Sequence, residues 1–375
     1  MRNISRKAAA WACGAAVAVG GCTAGIVIIA QGGKPATATS VAAVARPAPL
    51  DLVSVSLVSL SQADASTSVD GTGTIVVTYN RALPATAPLP TLTPAIAGTW
   101  RRTGDAVIFT PATGYPAGTH VKVTVAGLGD TSARSASASF TTGRYSTLRL
   151  QEILAQLGYL PLTWEQTGGA ALPGGDTAAQ LAAAYTPPPG TFKWKRGYPA
   201  ELHSFWSQGS ANTLDQGAIT GFEADHGLTT DGTASAAVWK ALLTAAAKNQ
   251  QNTHGYSYAV ASESSPETLT IWHNGRQVFS SLANTGIAVA PTALGTYPVY
   301  EKLPFQIMSG TNPDGSHYAD PVSWVSYFNG GDAVHYFPRG SFGYPQSLGC
   351  VELPYSAAER AYPYLPYGTL VSVVS

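Results

Sequence analysis

From Asp51 the chain alternates apolar and polar residues in short runs between Gly/Pro-rich turns: Leu52–Leu57, Thr74–Tyr79, Ala106–Thr110, His120–Val125 and Ala136–Phe140. A period of two puts successive side chains on opposite faces, so each run reads as a strand with one buried face. Such strands across 51–142 predict a small all-β sandwich with Trp100 in its core. After Gly143 the period lengthens. Leu148, Leu150, Ile153, Leu154 and Leu157, closed by Gly158, predict an amphipathic helix, and 217–222 and 236–247 predict two more, giving a small α-helical domain over 143–250. Residues 163–212 interrupt it as an insertion rich in Gly, Pro, Trp and Tyr; Trp194, Tyr198, Phe205 and Trp206 read as its packed core in preference to a sugar-stacking platform. From Tyr256 strands return at 257–261, 268–272, 277–282 and 299–302, with an Asn274-Gly275 hairpin turn and a closing apolar run at 368–374, so 251–375 reads as a mainly β domain.

Ahead of these lies an address. Arg2, Arg6 and Lys7 precede the uncharged apolar stretch Ala8–Ala30, a pattern that keeps the positive end in the cytoplasm and exports the remainder of the chain. Three readings fit residues 1–30. A signal anchor would span about 35 Å at ~1.5 Å per residue, enough for a bilayer core. A lipoprotein signal would lipidate Cys22, because Val19-Gly20-Gly21-Cys22 resembles a lipobox. A cleaved signal peptide would end near the adjoining Ala/Thr-rich stretch. Each places the rest of the chain outside the cytoplasm, attached to the cell envelope in the first two. Residues 31–50, rich in Ala, Thr and Pro, read as a tether.

Composition narrows the functional classes. A chain of 375 residues implies several domains, and 21 basic against 21 acidic residues with no basic block exclude an electrostatic nucleic-acid binder. Asp225-His226 is too small a group for a metal site and no His-x-His or His-Glu-x-x-His spacing occurs, so neither metal nor cofactor is expected. Of three cysteines, Cys13 and Cys22 lie in the apolar segment, which leaves Cys350 without a disulfide partner. His335 ends a strand-like run fifteen residues upstream, and Ser347-Leu348-Gly349-Cys350 reads as a turn presenting a side chain at a strand end. Nucleophilic catalysis needs a thiolate, a base to make it and backbone N–H groups for an oxyanion. From residue chemistry alone, a small buried hydrophobe and a core histidine fit as well.

His335, a Gly/Pro-rich loop and Ser347-x-Gly349-Cys350-Val351, preceded by Asn284-Thr285-Gly286 and Pro291-Thr292-Ala293-Leu294-Gly295, resemble the L,D-transpeptidase catalytic domain of YkuD type across about 256–374. The Leu-x-x-Leu-Gly-Tyr pattern near 147–160 and Ala-Ile-x-x-Phe through Val-Trp-x-x-Leu within 213–245 are similar to a helical peptidoglycan-binding domain; the Thr110–Thr119 run resembles bacterial Ig-like modules. The resemblance implies that Cys350, deprotonated by His335, attacks the carbonyl joining the third and fourth residues of a peptidoglycan stem peptide and releases D-alanine. An amine of a neighbouring stem then takes the acyl group in a 3→3 cross-link. It further implies that Ser347 shapes the nucleophile turn, that N–H groups of Gly349 and Cys350 form the oxyanion hole, that Tyr318 lies over the donor, and that the protein acts as a monomer. Leu348 and Glu352 stand where the family most often has His and Arg or Asn. Glu352 is therefore expected to repel a donor rich in carboxylates, with Arg339 or Arg360 as substitute cation. Papain-like and sortase readings fail on order and spacing: no histidine follows Cys350, and the sortase histidine lies far upstream. A decayed envelope-binding protein and a carboxypeptidase using water remain as alternatives.

Overall fold

The computed structural model describes residues 26–28, 52–58, 71–112, 114–126, 136–172 and 174–375. Cys22, the tether and nearly all of the apolar N-terminal segment lie outside the described residues. Its end is described as strand β1 (Ile26–Ile28), antiparallel to β2 (Leu52–Val58) with Ile26 opposite Leu57. This part of the segment read as an anchor is therefore extended, the conformation its β-branched residues favour. Among the described residues no helix is long and apolar enough to cross a membrane.

The N-terminal region continues with β3 (Thr74–Tyr79), β4 (Thr91–Thr93), β5 (Gly98–Thr103), β6 (Ala106–Pro111), β7 (His120–Val125) and β8 (Ala136–Thr141). They form a sheet of order β1-β2-β3-β6-β5 and a smaller one, β4-β7-β8. The predicted alternation is realised: Ile75, Val77 and Tyr79 of β3 and Val121, Val123 and Val125 of β7 bury one face each and meet in a single core. Each such side chain contributes about 1.5–3 kcal/mol when fully buried. Trp100 packs on Phe109 at 5.0 Å between ring centroids, at the edge of this core.

The helical region holds α1 (Thr147–Gln156), β9 (Leu162–Gln166), α2 (Thr177–Tyr185), β10 (Gly190–Trp194), a 3-10 turn (Ala200–Phe205), α3 (Thr213–Asp225) and α4 (Ala236–Lys248). The insertion thus has regular structure that its composition hid. β9 and β10 pair antiparallel, and α2 is capped by Asp176, whose side chain accepts the Ala179 N–H at 2.9 Å. Arg149 of α1, fully buried, donates to Glu152 at 2.8 Å and to Gln180 of α2 at 2.7 Å, tying insertion to host. Its aromatic residues are packed: Trp194 stacks on His203 at 3.9 Å and Phe192 meets Trp206 at 5.2 Å.

One carboxyl of this region makes stability depend on pH. Asp215 is 2% exposed and accepts Gln151 Nε2 at 2.8 Å. Burial pushes it up to about 7, against the partly compensating bonds from Gln151 and the Asn212 turn. A raised carboxyl contributes stability that is whole below its unfolded value near 4 and lost as pH rises through about 7. Asp215→Asn is expected to remove a loss on the order of 4 kcal/mol, raising the Tm at pH 8 more than at pH 5. Glu223, also pushed up to about 7 by burial, is one of the groups that contribute to the pH dependence that remains. Thermal unfolding of both proteins at the two pH values checks this; an equal Tm change at both would refute it.

The C-terminal region comprises β11 (Ser257–Ser262), β12 (Thr268–His273), β13 (Arg276–Leu282), β14 (Gly295–Pro298), β15 (Glu301–Thr311), β16 (His317–Asn329), β17 (Asp332–Tyr336), β18 (Val351–Leu353), α5 (Tyr355–Ala361) and β19 (Leu370–Val374). Its sheets run β13-β12-β11-β19-β14 and β15-β16-β17-β18. Asn274 and Gly275 both take positive φ, 48° and 75°, as the predicted tight hairpin requires. Leu269, Ile271, Val334, Val351 and Val371 share the core between the sheets. The long β15–β16 hairpin was not foreseen. In β16 the ladder slips between Ser323 and Ser326, and Trp324 takes φ of 61° there, a bulge that bends the strand. Tyr256, Tyr258 and Leu370 are buried in the core of the helical region, so the two regions share packing. The approach is close: a methyl group on Gly217 of α3 would stand 2.7 Å from the Gly368 carbonyl.

Candidate active site

His335 and Cys350 come to one cavity because β17 and β18 pair in parallel, Val334 opposite Val351 and His335 opposite Glu352, with Cys350 just before β18. The turn leading to the thiol is closed by Ser347, whose Oγ donates to the Cys350 carbonyl at 2.6 Å and accepts the Gly349 N–H at 3.1 Å. Gly349 sits at φ of 119°, where a side chain is strained, and a methyl group there would lie 2.5 Å from Asp332 Oδ1. Residues 284–287 hold both sides of this turn: Asn284 and Glu352 exchange backbone bonds of 3.0 and 2.9 Å, Ser347 N–H donates to Thr285 at 2.9 Å, and Ile287 N–H to Ser347 at 2.9 Å. Behind them Glu267, 1% exposed, accepts the Thr285 N–H at 2.6 Å and hydroxyl at 2.9 Å, while Thr292 Oγ1 accepts the Gly286 N–H at 2.9 Å. The Asn-Thr-Gly and Pro-Thr segments are thus one scaffold for the thiol. Glu267 and Asp332 were not read from the sequence. No motif marks them, since their partners are set by strand pairing.

His335 and Cys350 line an open cavity of about 490 Å³ together with Tyr318, Asp332, Arg339, Leu348 and Glu352. His335 is 2% exposed, and its Nδ1 donates to the Tyr336 carbonyl at 2.9 Å. That bond requires the proton on Nδ1 and leaves Nε2 as the basic nitrogen. Burial holds the imidazole below its usual range, with the Tyr336 bond and the Glu352 charge opposing it. The half-buried Cys350 donates to the Gly331 carbonyl at 3.7 Å and makes no hydrogen bond to His335. Burial pushes the thiol up to about 12; the Ala333 N–H opposes this, and the charges of Asp332 and Glu352 add to it. Both groups therefore rest neutral near pH 7. Attack on a substrate must carry the proton across in the same step.

Several expectations change here. Glu352 does not face the cavity as a bare charge: Arg339 Nε donates to its Oε2 at 2.7 Å and Nη2 to its Oε1 at 2.8 Å. Arg339 also donates to the Gln346 carbonyl at 3.0 Å and lies over the Phe337 ring at 4.6 Å. The two side chains read as repellent and substitute cation neutralise one another. Arg360 lies on α5, away from the cavity lining. Gly349 cannot offer its N–H to an oxyanion while Ser347 Oγ holds it, whereas the Cys350 N–H has no acceptor among the described residues. Ser347 Oγ is engaged within the turn and makes no hydrogen bond to His335. Tyr318 stands on β16 opposite Gly310 of β15, within the cavity wall. Asp225 bonds Tyr159 at 2.8 Å and pairs with His254 at 3.1 Å, while His226 stacks on Phe222, so the neighbouring Asp and His serve separate contacts.

Residues 257–373 match the family model YkuD, described as the L,D-transpeptidase catalytic domain. Comparison with curated proteins returns no match. Solved structures with detectable likeness include an L,D-transpeptidase from Mycobacterium smegmatis, 14% identical, covering 87% of this chain and 100% of that one at a TM-score of 0.30. L,D-transpeptidase 3 from Mycobacterium tuberculosis with a faropenem-derived adduct is 17% identical over 80% of this chain and 91% of that one, TM-score 0.30. The catalytic domain of the E. faecium enzyme is 22% identical over 31% of this chain and 95% of that one, TM-score 0.29. At such scores none of the three carries the assignment, which stands on the family match. The C-terminal residues 257–373 therefore form a YkuD-type L,D-transpeptidase catalytic domain.

Proposed function

We propose that the protein is an extracytoplasmic cell-wall L,D-transpeptidase that forms 3→3 cross-links between peptidoglycan stem peptides through a Cys350 acyl-enzyme. The observation that carries this reading is a tautomer-fixed imidazole on β17 and a thiol just before the paired strand β18 of a YkuD domain, both in the wall of one open cavity. In the first half-reaction the thiol proton passes to His335 Nε2 as sulfur adds to the donor carbonyl. The same proton then goes to the departing D-alanine amine, leaving a thioester. The Cys350 N–H is the backbone donor open to the oxyanion. Tyr318 and the Arg339–Glu352 pair border the donor, the pair acting as a neutral, rigid wall. The sandwich and helical regions are read as an Ig-like spacer and a peptidoglycan-binding-like module. Residues 1–30 are read as an anchor or lipoprotein signal, with Cys22 as the lipidated residue in the latter case.

One observation favours the alternative of a decayed binding protein: the thiol rests on a carbonyl, unpaired with His335, and is pushed up to about 12. Intact mass spectrometry separates the two. With a carbapenem, and with a tetrapeptide donor, the wild-type protein is expected to gain one covalent acyl group and Cys350→Ala none. A wild-type protein that stays unmodified supports the decayed reading, and release of free tripeptide without cross-linked product would indicate a carboxypeptidase.

A further inference from the structure

Asp332 has no part in the acylation chemistry, yet it opens β17 three residues before His335 and lines the same cavity. One of its oxygens is engaged: Oδ2 accepts the Ala293 N–H at 3.2 Å and Asn329 Nδ2 at 3.5 Å. The other, Oδ1, has no hydrogen-bond partner among the described residues and lies against Gly349, beside the nucleophile. Glu352, the second carboxylate whose charge reaches the thiol, is neutralised by Arg339, whereas no lysine, arginine or histidine pairs with Asp332 among the described residues. Tyr300 and Cys350, the ionisable groups that feel its charge, carry no positive charge of their own.

An uncompensated negative charge beside the thiol opposes thiolate formation and so works against the first half-reaction. It favours the second. The acceptor amine arrives at neutral pH as an ammonium ion, which must be drawn to the thioester and must lose a proton before nitrogen can attack. Resting on the proposed transpeptidase reading, we infer that Asp332 is the acceptor-site residue, its Oδ1 binding the primary ammonium group of the acceptor stem and taking that proton. The atoms balance. The ammonium gives one proton to Asp332; the neutral amine adds to the thioester carbonyl; its second proton passes through His335 Nε2 to the sulfur as the C–S bond breaks. An amide, a thiol, a neutral imidazole and a protonated carboxyl result, and the carboxyl returns its proton to water. Burial raises the Asp332 carboxyl above the usual aspartate value, which makes it a stronger base for this transfer.

Asp332→Asn retains an oxygen for the Ala293 N–H and removes the charge. Acyl-enzyme formed with a tetrapeptide donor would be chased with an amine-bearing stem peptide or with hydroxylamine, which is largely uncharged at pH 7. The variant is expected to lose about tenfold or more in kcat/KM for the amine, within the range of a positioned base, and less than about twofold for hydroxylamine. Free Cys350 should meanwhile be alkylated faster by iodoacetamide, because the opposing charge is gone; a damaged site would slow all three reactions. Equal losses with both nucleophiles, or none with the amine, overturn the assignment. Should the variant not fold, the wild type still decides: simple alkylammonium ions should compete with the acceptor and alcohols of the same size should not, and equal competition overturns the assignment. A wild-type protein that forms no acyl-enzyme with any donor fails before the chase, which refutes the transpeptidase reading and this inference with it.

Discussion

His335→Ala is expected to slow acylation of Cys350 by about 10²- to 10⁴-fold at pH 7, the range that a positioned general base contributes. The reason lies in the thiol. Pushed up to about 12, it is ionised at pH 7 in roughly one molecule in 10⁵, so a pre-formed thiolate cannot sustain the reaction. In the wild type, acylation should fall only as pH drops through the His335 value, which burial places below the usual imidazole range. In His335→Ala, by contrast, the rate should climb about tenfold per pH unit through pH 9, following the thiolate fraction. Carbapenem acylation followed by intact mass from pH 5 to 9 measures both profiles. Wild-type rates and an unchanged profile in the variant would make His335 a packing residue. Stability provides an internal control with a definite sign. A buried histidine held neutral contributes stability that is present above its unfolded value near 6.5 and lost as pH falls through its folded value. The acid-side loss of Tm should therefore shrink in the variant.

Arg339→Ala is expected to destabilise the catalytic domain by about 2–4 kcal/mol, somewhat under the ~3–5 kcal/mol of a fully buried pair broken from one side. Glu352 is the side left stranded: it is 5% exposed and would lose two charge-assisted bonds, while Arg339 keeps 28% exposure and with it some solvent screening. The carboxylate would then face the cavity uncompensated, so acylation by an anionic donor should weaken as well. Removing both charges together, as Arg339→Met with Glu352→Gln, should recover most of the stability and the donor binding, because no buried charge is orphaned. A double-mutant cycle by denaturant unfolding, with acylation rates in parallel, measures the coupling. Additive losses would show that the two side chains act independently and that Glu352 tolerates exposure to the cavity on its own.

The candidate site residues were legible because their identities are unusual where they stand. Cys350 is the one cysteine outside the apolar segment, and the order His335, turn, Ser347-x-Gly349-Cys350 is written continuously in the chain. Strands β2, β3, β6, β7 and β8 and the helices α1, α3 and α4 were legible because their periods arise from backbone geometry within a few residues, whereas β1, β4 and β5 were not read. The insertion was less so. Its helix α2 is made of alanines whose apolar face has no strong period, and its ladder β9–β10 joins segments more than twenty residues apart.

The sequence by itself determined the locally encoded features: where alternation and helical period begin and end, where glycine must turn the chain, and which thiol and imidazole are available. The tertiary structure alone decided how charge and protons are distributed among them. Glu352 reads as a repellent carboxylate until parallel pairing of β17 with β18 brings Arg339 across to it. Gly349 reads as an oxyanion donor until Ser347 takes its N–H. Asp332 carries no motif, and only the folded chain sets its Oδ1 against Gly349, beside the candidate thiol. The physical reason is common to all three: charge pairing, desolvation and hydrogen-bond competition act through space over a few ångströms. Chain positions separated by two to twenty residues become neighbours only once the sheet has chosen its register.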